Sequence, residues 1–214
     1  MNGRLKPPVI TVIAGANGSG KSSIAGAFLR SRGEDYYNPD EATRAILELN
    51  PALPRADANS LAWKMGRDAL IAAIEDRTSY AFETTLGGKT ITGLLLKAAN
   101  MGLAVRVWYV GLASLDLHIR RVRERVARGG HPIPEDRIRT RYDTSRQNLI
   151  TLLPHLSELR LFDNSLEGDP ALGMKPRPRE IFHIKQGRLV YACPLSEVSL
   201  WAQPIVAAAS RLFG

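Results

Sequence analysis

Apolar and polar positions along the chain alternate between two periods. A β-branched apolar run over 9–14 ends in Gly15-Ala16-Asn17-Gly18-Ser19-Gly20, and a helix-compatible stretch follows to about 32, which predicts strand, loop and helix. Residues 35–38 form a candidate short second strand. Asn38-Pro39-Asp40-Glu41 has the order of a helix start, with a capping Asn, Pro at the first helical position and Glu three residues after the cap. That helix runs to about 49, before Pro51. Leu61, Met65, Ala69, Ala72 and Ala73 recur at helical spacing and predict a helix over 58–75.

Residues 80–84 are strand-like, 89–100 helical, and 103–110 a strand bounded by Gly111. Ser114-Leu115-Asp116 opens a helix to about 128, stopped by Gly129-Gly130, and a second helix covers 135–153. The last core strand is expected at 159–162. A loop rich in Pro and Gly spans 168–179; 181–185 and 188–192 flank Gln186-Gly187 as a hairpin, and a helix over 197–212 closes the chain. Strands alternating with helices imply an α/β fold, a mostly parallel sheet covered on both faces, with ligands at the carboxyl ends of the strands.

Composition narrows this picture. With 214 residues, one domain over 1–214 is the expectation, with a lid at about 114–153 and a small C-terminal hairpin and helix at about 180–212. The 44% hydrophobic and 23% charged content excludes a chain that stays disordered. Cys193, the one cysteine, excludes an internal disulfide and suits a reducing, cytoplasmic setting. No Cys/His cluster has zinc spacing, and no apolar run is long enough to cross a membrane. Basic residues ahead of the first apolar run imitate a leader peptide, but the glycine loop after it makes that run a strand. The net charge of +8 suits an anionic partner, whether nucleotide, nucleic acid or phosphorylated sugar. Much of it is concentrated in the arginines between Arg120 and Arg146. Few aromatics are interleaved there, which weakens the case for stacking on single-stranded nucleic acid.

Gly15-Ala16-Asn17-Gly18-Ser19-Gly20-Lys21-Ser22 satisfies G-x-x-x-x-G-K-[ST] with the required strand before it and helix after it. Its backbone N–H groups would surround the phosphates of ATP, Lys21 would reach the β/γ-phosphates, and Ser22 would hold Mg²⁺. The alternative is an ordinary glycine-rich turn. Asp40 is placed either to take a proton from an acceptor hydroxyl or merely to favour the helix dipole; Glu41 fits the capping role better. Glu83, in Phe82-Glu83-Thr84-Thr85, can orient Mg²⁺ or hold an acceptor hydroxyl, or be a solvated strand end. Gly87 and Gly88 suggest a loop that lets substrate come close.

Arg121, Arg125 and Arg128 form one stripe, and Ile119, Val122 and Val126 an apolar one, so the two arginine-bearing helices around Gly129-Gly130-His131 read as a lid over triphosphate or as a solvated basic face. His131 is a turn or capping residue rather than a base. Asp163-Asn164-Ser165 either contacts the nucleotide base or caps a turn. Trp63, Trp108 and Trp201 are expected in the core.

GANGSGKSS at 15–23, NPDE at 38–41, FETTL at 82–86, RVRERVARGGHPIP at 121–134 and DNS at 163–165 together resemble the zeta-toxin-like P-loop kinases, whose better-known members phosphorylate UDP-N-acetylglucosamine with ATP. The resemblance covers about residues 9–165. It implies a three-layer P-loop NTPase sandwich with a helical arginine-rich lid, ATP on residues 15–23 (Ser23 included), and Asp40 as the base on the sugar hydroxyl. It further implies Glu83 and Thr85 as acceptor contacts, one or two arginines of the Arg121 to Arg141 region on the ATP phosphates, Arg125 and Arg128 first among them, and an antitoxin protein as a partner. One departure stands out. Leu86-Gly87-Gly88 follows Thr85 where the family pattern leads one to expect a substrate-holding arginine. The same fold acting on an antibiotic, a nucleoside or a nucleic-acid end, and a nucleotide-binding regulatory protein without transfer chemistry, are the competing readings.

Overall fold

A computed structural model describes residues 7–31, 33–166 and 178–213. Six strands form one sheet: β1 (Val9–Ala14), β2 (Tyr80–Thr84), β3 (Ala104–Gly111), β4 (Glu158–Asp163), β5 (Arg179–Lys185) and β6 (Arg188–Ala192). Their order is β2-β1-β3-β4-β5-β6. The first four are parallel, with Val12 opposite both Phe82 and Val107; β5 and β6 are antiparallel additions. The C-terminal hairpin therefore extends the main sheet.

The helices are α1 (Ala27–Ser31), preceded by a π-helical turn Ser22–Gly26, then α2 (Pro39–Leu49), α3 (Arg55–Glu75), α4 (Lys89–Asn100), α5 (Leu115–Ala127), α6 (Glu135–Leu152) and α7 (Gln203–Phe213). Period-two alternation sorts the strand residues onto two faces. Ile10, Val12, Val107, Tyr109, Leu159, Leu161 and Phe182 face one side and pack with Leu70 and Ile74 of α3, Leu95 of α4, Leu149 of α6 and Ile205 of α7. Truncating any of these fully buried side chains costs about 2–5 kcal/mol, so the strand that carries the glycine loop is firmly anchored.

The opposite face carries a smaller apolar cluster. Ile13 and Trp108 pack there with Leu29 of α1 and Tyr36, and Phe28, Ala81 and Phe162 join them. Farther along, Arg106, Glu158, Arg160, Glu180 and His183 form a charged network instead of meeting a helix. Three elements depart from expectation. Residues 35–38 contribute only an isolated bridge, Tyr37 to Phe82, because β2 already ends the sheet and Pro39 starts a helix at once. The terminal helix starts at Gln203; Glu197 sits in a 3₁₀ turn instead. The loop expected over 168–179 lies outside the described residues except for its last two positions, and strand β5 already begins at Arg179. Among the described residues, no helix is long and apolar enough to cross a membrane.

Candidate active site

The loop after β1 is dictated by sterics. Gly15 has φ +140°, and a Cβ there would lie 2.1 Å from the Val110 carbonyl oxygen; Gly20 has φ +88°, and its Cβ would meet Asn164 Nδ2 at 2.6 Å. No L side chain fits either place without displacing backbone or a brace. Several contacts hold the loop from outside. Asn164 Nδ2 donates to the Ser19 carbonyl at 2.9 Å, Arg121 donates to the Asn164 carbonyl at 2.9 Å, and His118 Nδ1 donates to the Asn17 carbonyl at 2.7 Å. Burial pushes the His118 pKa down to about 4, with nearby Lys21, Arg121 and Arg146 opposing protonation further. The imidazole is thus neutral, with the proton on Nδ1.

Behind the loop, the chemical groups converge. Ser22 Oγ donates to Glu83 Oε2 at 2.6 Å, and Lys21 Nζ lies 3.6 Å from Glu83 Oε1. Lys21 and Glu83 are both buried, so each lowers the cost of the other's charge. Among the described residues, Ser19 Oγ is buried without a hydrogen-bond partner. A hydroxyl and a carboxylate side by side are hard oxygen donors of the kind Mg²⁺ takes.

Asp40 enters from α2. Asn38 Oδ1 accepts from the Asp40 and Glu41 amides at 2.9 and 3.4 Å, fixing the first turn as the sequence predicts. Glu41 turns aside to pair with Arg30 at 2.7 Å. The Asp40 carboxylate, 64% exposed, instead faces the lid, 3.5 Å from Arg125. Lid helices α5 and α6 share a small core of Ile119, Val122 and Ile138 and are joined by a turn through His131. Arg125 also donates to the His131 carbonyl at 3.0 Å.

All of this lines one cavity of about 880 Å³, which includes Asn17, Gly18, Gly20, Lys21, Ser22, Ser23, Asp40, Glu83, Thr85 and Arg125. Gly15, Ala16 and Ser19 complete the loop from behind. Arg128 does not line the cavity: α5 ends at Ala127, and Arg128 is its exposed C-cap. Arg137 and Arg141, whose i, i+4 spacing repeats that of the first lid helix, also line the cavity. Arg141 Nη1 donates to Asn17 Oδ1 at 2.9 Å, and its stem occupies the space beside Gly87, where a Cβ would come within 2.8 Å of Arg141 Cγ. Burial, with Arg137 close by, lowers its pKa from the usual guanidinium value.

Asp163-Asn164-Ser165 resolves into a capping turn and a brace: Asp163 Oδ1 accepts from the Ser165 amide at 2.8 Å, while Asn164 supports the loop. His131 occupies the turn, as expected, with Nε2 3.3 Å from Asn59 Nδ2. Trp63 corrects the sequence reading. Trp108 and Trp201 are buried, but Trp63 is 42% exposed on the cavity wall. The buried row of α3 is Ala58, Ala62, Gly66 and Leu70, and Trp63 lies on another side of the helix.

Comparison with known proteins bears on the fold and the family. An uncharacterized protein of Haemophilus influenzae is 32% identical over 131 residues, 60% of this chain and 88% of that protein. Among solved structures, the AvrRxo1-ORF1:-ORF2 complex with ATP matches with a TM-score of 0.64 at 15% identity, over 96% of this chain. This chain spans 64% of that neighbour's length. A structure from the PezAT chromosomal toxin-antitoxin system of Streptococcus pneumoniae matches with a TM-score of 0.51 at 13% identity, over 74% of this chain and 68% of the other. At such identities these likenesses establish the P-loop kinase-type fold. The family model described as Zeta toxin matches residues 2–164, a span that takes in the first strand and ends at the Asp163-Asn164 turn that braces the loop after it, and the chain belongs to that family.

Proposed function

We propose that this protein moves the γ-phosphoryl group of ATP to a hydroxyl of a small molecule, a sugar nucleotide such as UDP-N-acetylglucosamine. The observation that carries the reading is the meeting of Lys21, Ser22 and Glu83 in the cavity that Asp40 and Arg125 also line. Phosphoryl transfer asks for a held donor, a nearby carboxylate and neutralised charge, and little else from the protein. Each is supplied by a different element.

The loop amides of residues 15–23 and Lys21 hold the phosphates. Ser22, with Glu83 beside it, would hold Mg²⁺, which would offset the negative charge of the phosphates. Asp40 accepts the hydroxyl proton as the acceptor oxygen bonds to the γ-phosphorus and the bond to the β–γ bridging oxygen breaks; ADP leaves and Asp40 returns its proton to solvent. Glu83 and Thr85 position the acceptor. Arg125 lies where charge develops, and Arg121, Arg137 and Arg141 add to the positive wall. The family membership and the toxin-antitoxin source of one structural neighbour support an antitoxin as protein partner.

The test is Mg²⁺-dependent ADP release with and without UDP-N-acetylglucosamine, using Lys21→Ala as the blank. Stimulation by the sugar nucleotide that vanishes in the variant is the expected result. ATP binding without acceptor-stimulated release would overturn the reading.

A further inference from the structure

Helix α3 presents a row of residues to the cavity at helical spacing: Ala56, Asn59, Ser60, Trp63 and Arg67. Spanning twelve positions, the row is about 16 Å long, longer than one sugar ring. At one end Asn59 touches His131 of the lid; Trp63 lies one turn further on and Arg67 a turn beyond it. The Arg67 guanidinium carbon sits 5.3 Å from the Trp63 ring centroid and is held there by Asp68 at 2.6 Å.

The helix beneath is rigidly seated. Tyr37 fills the space over Gly66, whose Cβ would lie 2.5 Å from the ring, and the Tyr37 hydroxyl donates to the Ala62 carbonyl at 2.6 Å. A half-exposed indole on a concave wall, with a cation over its ring and its helix seated from behind, is a preorganised stacking surface.

We infer that Trp63, with Arg67 beside it, is a specificity-determining platform on which the planar base of a nucleotide-type acceptor stacks. The inference rests on the kinase reading of this cavity. It assigns Trp63 to the acceptor because α3 packs on α2, the helix that carries Asp40, whereas the donor phosphates belong to the loop across the cavity. A sugar phosphate lacks the plane that the indole recognises, so the base is what the platform selects.

The test has a binding arm and a turnover arm. UDP-N-acetylglucosamine is titrated into the full chain without ATP while tryptophan fluorescence is followed, with Trp63→Phe as the blank and N-acetylglucosamine 1-phosphate as the base-free control. Quenching by the nucleotide sugar alone, absent in Trp63→Phe, is expected. In turnover, Trp63→Ala should raise KM for UDP-N-acetylglucosamine about 10- to 100-fold, far more than it lowers kcat, and leave KM for ATP within twofold; Trp63→Tyr should restore most of the loss. No quenching, an unchanged acceptor KM, or a rise in the ATP KM instead would overturn the platform. Quenching without any acceptor-dependent ADP release by the wild type would sink the kinase reading while the platform stands. Turnover untouched by Trp63→Ala would do the reverse.

Discussion

The two walls of the cavity are built differently. The loop that faces the donor is backbone held by buried braces, the carbonyls of Asn17 and Ser19 each receiving a hydrogen bond from a side chain of another element. The wall that faces the acceptor is side chain: Asp40 at 64% exposure and Trp63 at 42%, joined to the lid by contacts at Asp40–Arg125 and Asn59–His131. Exposed ion pairs of this kind contribute 0–1 kcal/mol and exchange partners cheaply. One wall is set by the fold and the other by residues free to adapt to what enters. Damage to the acceptor wall should therefore spare donor binding, whereas damage to the donor wall should remove both functions.

The largest effect expected is for Lys21→Ala, which removes the buried cation beside Glu83 and leaves that carboxylate uncompensated. Acceptor-stimulated ADP release should fall to background and ATP affinity should drop with it, both measurable by coupled assay and calorimetry. Asp40→Asn should separate the two. We expect kcat to fall about 10²- to 10⁴-fold with ATP affinity within twofold. Equal loss of both would erase the contrast between the walls.

The same contrast explains what the sequence could and could not reveal. Gly15, Gly20, Lys21 and the Asn38 cap were legible because each answers a local constraint: a forbidden Cβ, a phosphate-sized nest, an orphan helix amide. The roles of Trp63 and Arg141 depend on how distant helices cross, and no local spacing encodes that. Helix α3 is misleading for a second reason. Leu61 and Met65, the apolar pair that marks its periodicity, are half-exposed, whereas small Ala58, Ala62 and Gly66 make the buried face because β2 and Tyr37 come so close. The candidate second strand dwindles to the Tyr37–Phe82 bridge for a similar reason, since a helix begins two residues later.

His118 offers a smaller effect that probes the donor wall through pH. Its pKa is depressed to about 4 by burial, against about 6.5 when unfolded, so the unfolded chain binds the extra proton between those values. The penalty is absent above pH 6.5, grows as pH falls, and levels off below pH 4. At pH 5 it amounts to roughly 2 kcal/mol. His118→Asn, which keeps an N–H donor for the Asn17 carbonyl and removes the titration, should flatten the loss of stability between pH 7.5 and 5 seen by thermal melts. An unchanged acid limb would show that the fall comes from elsewhere.

The smallest predicted effect tests the boundary of the acceptor wall. Arg125 and Arg128 are three residues apart and share a stripe on an ideal helix, yet α5 ends between them at Ala127, with Gly129 at φ +86° just beyond. Arg125 points to Asp40 and the His131 carbonyl; Arg128 caps the helix in solvent. Arg125→Ala should lower kcat about 10-fold or more, and Arg128→Ala less than twofold. Should the two variants fall equally, the lid must close far enough to bring the C-cap over the phosphates, and the acceptor wall would be a moving part rather than the fixed row of side chains described above.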